Sequence, residues 1–207
     1  MEHDTLPTAP RALASDVVRS RRARLIREPH VEPINHLIDR IAHETGNSRL
    51  PYLDPTFGGV EAELLYVLKA PEADADPDRD GVRFLSLDND DVGAAIMFES
   101  AASNGIRRER CAAWNICPFP IVGSNPSSWE LQQSVPYHVE LVKLLPRLRV
   151  VVLLGRPARD GWSSRRFGVP RDVAVVAGAS SARPGIYTPA NRQSFESAMR
   201  RAAELLT

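Results

Sequence analysis

The residues of this sequence that could carry chemistry follow apolar runs that are typical of buried strands. The first run, Leu64–Leu68, leads directly into Lys69, Ala70 and Pro71. Pro71 fixes its own φ and has no N–H donor, so the strand must end there. Ligands of open α/β sheets bind just beyond the carboxyl ends of strands. The loop 69–76 is therefore either a functional loop or a simple surface turn.

Lys69 allows three kinds of chemistry. Its ammonium group could pair with Glu72, Asp74 or Asp76 and act only structurally. It could instead contact a phosphate. If it were desolvated and neutral, its amine could attack a carbon atom and leave a Schiff base.

Other polar candidates lie in or after later apolar stretches. Asn115 ends the stretch "RCAAWN", and its amide offers both a donor and an acceptor. Asp88 and Asn89 follow Phe84 in "FLSLDND". Further along, "DVAVVAG" is followed by Ser180, Ser181 and Arg183. Each also has a plain structural interpretation as a turn residue, a helix start, a core aromatic or a polar turn.

Strands and helices alternate around these residues. The strand-like runs are 64–68, 110–116, 149–155 and 172–178. Helices are predicted over 30–44, from Asp90 or Asp91 to about Asn104, from Pro136, after Gly155 and over 191–206. The alternation predicts an α/β protein, a three-layer α/β/α sandwich with a central parallel sheet of about four strands.

The amino-terminal segment is rich in arginine. Residues 1–28 are predicted to form a basic tail or helix, and 29–207 a single domain. Six arginines lie between Arg11 and Glu28, with a rough apolar stripe at helical spacing. They form either a surface for DNA phosphates or an ordinary solvated helix face.

Composition excludes several classes of protein. The chain has 207 residues, 43% of them hydrophobic, and 26 basic against 26 acidic side chains. Zero net charge argues against a purely electrostatic nucleic-acid binder but permits a local basic groove. No apolar run approaches the ~20 residues of a membrane helix, and the first residues do not resemble a secretory signal.

The number of cysteines limits which cofactors the protein can bind and indicates its compartment. Cys111 and Cys117 cannot supply the four thiolates of a zinc or iron–sulfur site. We therefore expect no metal or other cofactor, and a cytoplasmic, monomeric protein with reduced thiols.

Four stretches together resemble the uracil-DNA glycosylase superfamily. They are "LKAPEA", "FLSLDNDD", "WNICPFP" and "LLPRLRVVVLLGRPA". A small branch found in actinobacteria and rhizobia has L-L-E-A-P-G, S-x-D-N-x-D, W-N-x-x-P-W and L-L-P-x-L-x-V-V-V-x-G in this order, followed by H-P-S-P. The resemblance runs from about Asp54 to the C-terminus and implies base-excision repair of single- or double-stranded DNA.

The resemblance also implies roles for individual residues. Lys69, Asp88 and Asn89 occupy the catalytic positions. Ala70, Pro71, Phe84 and Asn115 occupy base-binding positions, with Phe84 stacking on the flipped base and Asn115 reading its edge. The loop of Ser180, Ser181 and Arg183 occupies a position that contacts the DNA backbone.

The sequence departs from the branch at three places. Lys69 stands where the branch has glutamate, Glu72 where it has glycine, and Ala179 where it has the histidine of H-P-S-P. Loss of such a transition-state donor commonly costs about 100- to 1000-fold in rate. Two interpretations follow: a glycosylase with altered chemistry or substrate, or a degenerate member that binds DNA, a nucleotide or a protein without excision. A nucleotide-binding protein unrelated to repair is a third interpretation, although G-x-G-x-x-G and P-loop motifs are absent.

Overall fold

A four-stranded parallel sheet forms the centre of the protein. The computed structural model describes residues 6–72 and 81–207. In this part of the chain the strands are β1 (Tyr52–Leu53), β2 (Leu64–Leu68), β3 (Phe84–Leu85), β4 (Cys111–Asn115), β5 (Val150–Leu154) and β6 (Ala174–Gly178). The main sheet has the order β4-β2-β5-β6, and β1 pairs with β3 in a separate two-stranded sheet. All strand pairings in the main sheet are parallel, as the sequence predicted.

Helices cover both faces of this sheet. The described helices are α1 (Asp16–Ala23), α2 (Glu32–Thr45), α3 (Val92–Ser103), α4 (Ser128–Lys143), α5 (Arg156–Gly161), α6 (Ser164–Phe167) and α7 (Pro189–Leu206). The chain moves one way from β2 to β4 and the other way from β4 to β5 and β6. Right-handed crossovers in opposite directions place their helices on opposite faces. Accordingly α3 contacts α7, whereas α4 contacts α2 and α6.

The main structural predictions are confirmed. The four predicted strands form the sheet, and the fold is a three-layer α/β/α sandwich. Helix α2 ends at Gly46, whose φ of 68° is a left-handed value that glycine adopts without steric cost. Helix α3 begins after Asp91, whose carboxylate accepts the Ala94 N–H at 2.8 Å.

The predicted start of α4 was wrong. Pro136 lies inside the helix, which begins at Ser128. Ser127 and Glu130 form a capping box that satisfies main-chain donors at the helix start, and this signal outweighs the proline. Two further elements were not predicted, namely α6 and the pairing of β1 with β3.

The amino-terminal segment packs onto the domain. Only Asp16–Ala23 of the arginine-rich stretch is α-helical. Leu13 is buried, and its N–H donates to the Asp88 carbonyl at 3.0 Å. Arg22 is 0% exposed and forms ion pairs with Asp54 and Asp88. Arg22 therefore lies neither on a solvated helix face nor within reach of a phosphate.

Candidate functional site

The strand order defines where a ligand can bind. From β2 the chain crosses to β4 on one side, and from β5 it crosses to β6 on the other. The carboxyl ends of β2 and β5 are therefore adjacent strand ends whose connections diverge. In open α/β sheets such a switch point leaves a crevice in which ligands bind. Lys69 and Gly155 follow these two strands and border this position.

Main-chain hydrogen bonds continue beyond the strands and join the loops. The Ile116 N–H donates to the Leu68 carbonyl at 2.8 Å, and the Cys117 N–H donates to the Lys69 carbonyl at 3.1 Å. The Gly155 N–H donates to the Gly178 carbonyl at 2.9 Å. The four strand-end loops thus form one edge with defined geometry.

Helix α5 also approaches the loop after β4. A Cβ atom on Gly161 would lie 2.7 Å from side-chain atoms of both Ile116 and Leu131. Only glycine permits this contact, because any larger residue would overlap both side chains. The loops after β4 and β5 are therefore held against each other beside the end of β2.

Asn115 has the most unusual environment among the predicted site residues. It is 4% exposed and lines a cavity of about 10 Å³ with Trp114, Leu85 and Pro118. Among the described residues, no group hydrogen-bonds to its amide. A cavity of this size holds at most one water molecule, so a larger ligand must displace its walls. Base recognition by Asn115 stays a prediction.

The loop after β2 has a mixed environment. Lys69 is exposed, Ala70 is half-buried and Pro71 is buried. The Lys69 ammonium donates to the Ser124 carbonyl at 3.3 Å and forms no ion pair with any described residue, Glu72 included. The other predicted partners, Asp74 and Asp76, lie outside the described residues.

Asp88 belongs to a buried charge network. Both of its oxygens are bound by the Arg108 guanidinium, at 2.6 and 3.0 Å, and Arg22 also contacts it. Asp54 completes the network with Arg22 and accepts the Thr56 hydroxyl at 2.8 Å. Two carboxylates and two guanidinium groups balance one another here, which fits a structural role. A catalytic role for Asp88 stays a prediction.

Asn89 and Phe84 lie close to each other. The Asn89 amide donates to the Phe84 carbonyl at 3.0 Å, and the Phe84 side chain is buried. In this arrangement Asn89 supports the chain around β3. Base stacking by Phe84 and catalysis by Asn89 stay predictions.

The loop after β6 divides into two parts. Ser181 is buried, and its Oγ would lie 3.3 Å from a Cβ atom on Gly93 at the start of α3. The Ser180 Oγ accepts the Ala182 N–H at 3.1 Å. Arg183 is exposed, with its guanidinium 5.8 Å from the centre of the Tyr187 ring. Of the predicted DNA-backbone residues, Arg183 is thus the fully exposed one.

A pocket of about 350 Å³ opens beyond the ends of β5 and β6. Its walls include Arg156, Arg159, Ser180, Asn191 and Ser194. These residues, apart from Ser180, were not singled out from the sequence. The signal that could have found the two arginines is "GRPARDG", which follows the clearest strand.

The two arginines of this pocket share one carboxylate. The Nε atoms of Arg156 and Arg159 donate to the two oxygens of Asp160 at 3.0 and 3.1 Å. Both guanidinium groups lower the pKa of Asp160. The pocket therefore keeps excess positive charge, as a site for phosphate or another anion requires.

Other reactive groups are poorly suited to catalysis. Burial raises the pKa of the Cys111 thiol to about 12 and that of the Cys117 thiol to about 11, so both stay protonated at neutral pH. Residues 6–72 and 81–207 contain no cluster of three or more side chains suited to a metal ion.

Within the same residues, no helix is both long and apolar enough to span a bilayer.

Comparison with known proteins gives no assignment. No protein-family model matches this sequence, and no curated protein matches it significantly.

Proposed function

We propose that the protein is a DNA glycosylase-like protein, which binds a base flipped out of DNA at the carboxyl edge of its sheet and hydrolyses its N-glycosidic bond. The observation that carries the proposal is the Asn115 amide, which is nearly buried and has no partner among the described residues. A ligand edge with one donor and one acceptor would complement both polar atoms of this amide.

The shape of the site is consistent with a base that enters on binding. A cavity of about 10 Å³ does not hold a base in the present conformation. Leu85 and Pro118 would have to move, and the base would fill the space next to Trp114. Bases are gripped in this way by enzymes that extrude them from the stack.

The pocket beyond β5 and β6, at the same edge of the sheet, supports DNA as the ligand. Arg156 and Arg159 line it together with the Ser180 loop, and Arg183 is exposed next to that loop. Positive side chains at this edge would neutralise phosphates on either side of a flipped nucleotide. The order of the four sequence stretches that resemble uracil-DNA glycosylases supports the same conclusion.

Hydrolysis would break the bond between the sugar C1′ and the base nitrogen, and a water oxygen would bond to C1′. The departing base would carry the electron pair and then take a proton. Donors along the strand-end loops would stabilise charge on the base as it leaves.

Binding without excision is the second candidate function. Lys69 is exposed where a carboxylate would favour a cationic sugar, and its ammonium would repel that charge. Ala179 offers no side-chain donor to the base. Both features favour a protein that recognises a base and leaves the glycosidic bond intact.

An excision assay separates the two candidates. Single- and double-stranded oligonucleotides carrying uracil, hypoxanthine, xanthine or modified pyrimidines would be incubated with the protein. The amount of free base released and the number of strand breaks at abasic sites would then be measured. Excision of one base, abolished in Asn115→Asp, supports the glycosylase. Selective binding of a lesion without base release supports the second candidate.

Asn115→Asp also tests the recognition step itself. It replaces a donor by an acceptor and should weaken lesion binding by about 1–3 kcal/mol. Asn104→Asp is the matched control, because the Asn104 amide donates to the Ser100 carbonyl at the C-terminal end of α3. Equal lesion affinity in both variants would contradict the proposal.

A further inference from the structure

An apolar tip spans the loop between β4 and α4 and the first residues of α4. We define the tip loop as residues 121–129. Val122 is 91% exposed and Trp129 is 68% exposed, so two of the most exposed large apolar side chains lie within one short segment. Both side chains therefore offer apolar surface to a partner.

The tip loop is held by specific hydrogen bonds. The Glu130 carboxylate accepts the N–H groups of Val122 at 2.8 Å and Ser127 at 2.7 Å. These bonds lower the pKa of Glu130, which is buried and remains ionised at neutral pH. Lys69 binds the loop from the other side through the Ser124 carbonyl. Val122 and Trp129 are therefore presented by an organised loop.

Arginine side chains follow β5 on the segment that packs against α4. Residues 155–166 contain four arginines and one acidic residue: Arg156, Arg159, Arg165 and Arg166, with Asp160. All four arginines are exposed.

Contacts of α4 place these charges near Trp129. The Arg166 guanidinium hydrogen-bonds to Gln132, which lies three residues after Trp129 on the same helix. Leu131 contacts the end of α5 at Gly161. The exposed Trp129 and the exposed Arg166 thus lie close to each other along α4.

We infer that the tip loop and the arginines of 155–166 together bind single-stranded DNA, with Trp129 and Val122 packing against unpaired bases. This inference rests on the proposed function, because the surface would bind the DNA strand that contains the target base. Aromatic side chains stack on every base, and arginines follow the phosphates, a combination typical of single-strand binders. The chain as a whole is neutral, so the local excess of positive charge selects the polyanion at this surface.

Titration of the full chain with an undamaged poly-dT oligonucleotide tests the inference, with fluorescence anisotropy as the readout. Trp129→Ala is expected to weaken binding by about 5- to 150-fold, the range for one stacked base. Val122→Ser is expected to weaken it less, and Val17→Ser is its matched control because Val17 is 69% exposed on α1. Thermal unfolding would verify that each variant is folded.

The salt dependence tests the charges separately. Arg165→Ala should reduce the slope of log affinity against log salt by about 0.7, the value for one phosphate contact in single strands. Arg200→Ala on α7 is the control and should leave the slope unchanged, since Arg200 is exposed on a helix that packs on the face of the sheet opposite to α4.

Three results would overturn the inference. The first is equal affinity of Trp129→Ala and wild type for poly-dT. The second is no binding of poly-dT by the wild type. The third is self-association of the wild type that Trp129→Ala abolishes, which would assign the surface to a second copy. If lesion recognition still depends on Asn115 in any of these cases, the proposed function stands without this surface.

Discussion

The Lys69 ammonium group donates a hydrogen bond to the Ser124 carbonyl, 3.3 Å away and 55 residues later in the chain. This bond connects the end of β2 with the tip loop. Strand β2 ends at the switch point of the sheet in a loop that contains Pro71. The first residue of this loop, Lys69, supports the loop after the neighbouring strand β4. This contact supports a structural role for Lys69, and its phosphate and nucleophile roles stay predictions.

Lys69→Ala is expected to loosen the tip loop without unfolding the protein. The bond is exposed, so its loss should change the free energy of unfolding by less than about 1 kcal/mol. Amide hydrogen exchange should accelerate at residues 121–127 and stay unchanged in β5. Faster exchange throughout the sheet would contradict a local role.

Borohydride trapping tests the alternative chemistry of Lys69. A hydrogen-bonded, exposed ammonium group is a poor nucleophile, so no covalent adduct with lesion-bearing DNA is expected. Mass spectrometry of the trapped mixture would detect an adduct directly. A DNA adduct on Lys69 would show that the amine attacks the sugar and that its structural role is secondary.

Arg22→Met is expected to destabilise the protein strongly. It would leave Asp54 without its buried cation and remove one of the two guanidinium groups that bind Asp88. Breaking a buried pair on one side costs about 3–5 kcal/mol. Urea unfolding would measure the loss.

The exposed Arg24→Met is the control for this experiment and should change stability by less than about 0.5 kcal/mol. Adding Asp54→Asn to Arg22→Met should recover part of the loss, because it removes the uncompensated charge. Equal stability of Arg22→Met and Arg24→Met would exclude the network as a determinant of stability.

His138 is expected to make the protein sensitive to mild acid. Its Nε2 lies 2.8 Å from the Ile116 carbonyl and its ring stacks on Phe167. Burial lowers the pKa of His138 from 6.5 to about 4. Because the native value lies below the unfolded one, this contribution is complete above pH 6.5 and is lost as the pH falls towards 4.

The loss should reach about 3 kcal/mol near pH 4 and can be measured by urea unfolding at several pH values. His138→Gln should be less stable at neutral pH but should show a flatter dependence between pH 6.5 and 4. A variant curve parallel to that of the wild type would show that His138 is not the titrating group.

Local signals explain which parts of the fold were predictable. The end of α2 at Gly46 and the start of α3 at Asp91 depend on residues within one turn, and both predictions are confirmed. The start of α4 was missed although Ser127 and Glu130 have capping-box spacing, because Pro136 was given more weight.

The candidate site was less predictable, because its side chains meet across the sequence. Arg22 and Asp88 are 66 residues apart, and no local pattern indicates that they pair inside the protein. The arginines of the pocket, Arg156 and Arg159, lie on a six-residue helix whose direction only the sheet defines. Strand ends were visible in the sequence, but the partners of the residues after them were not.

The Asn115 side-chain amide offers the most direct test of base recognition. Its NH₂ signals can be assigned in a nitrogen-15 NMR spectrum as those missing from Asn115→Asp. Titration with a lesion-bearing oligonucleotide is predicted to shift these signals more than titration with the undamaged strand, while the Asn104 amide signals stay in place. Saturated binding of the lesion strand without any shift of the Asn115 signals would contradict recognition of a base at this edge of the sheet.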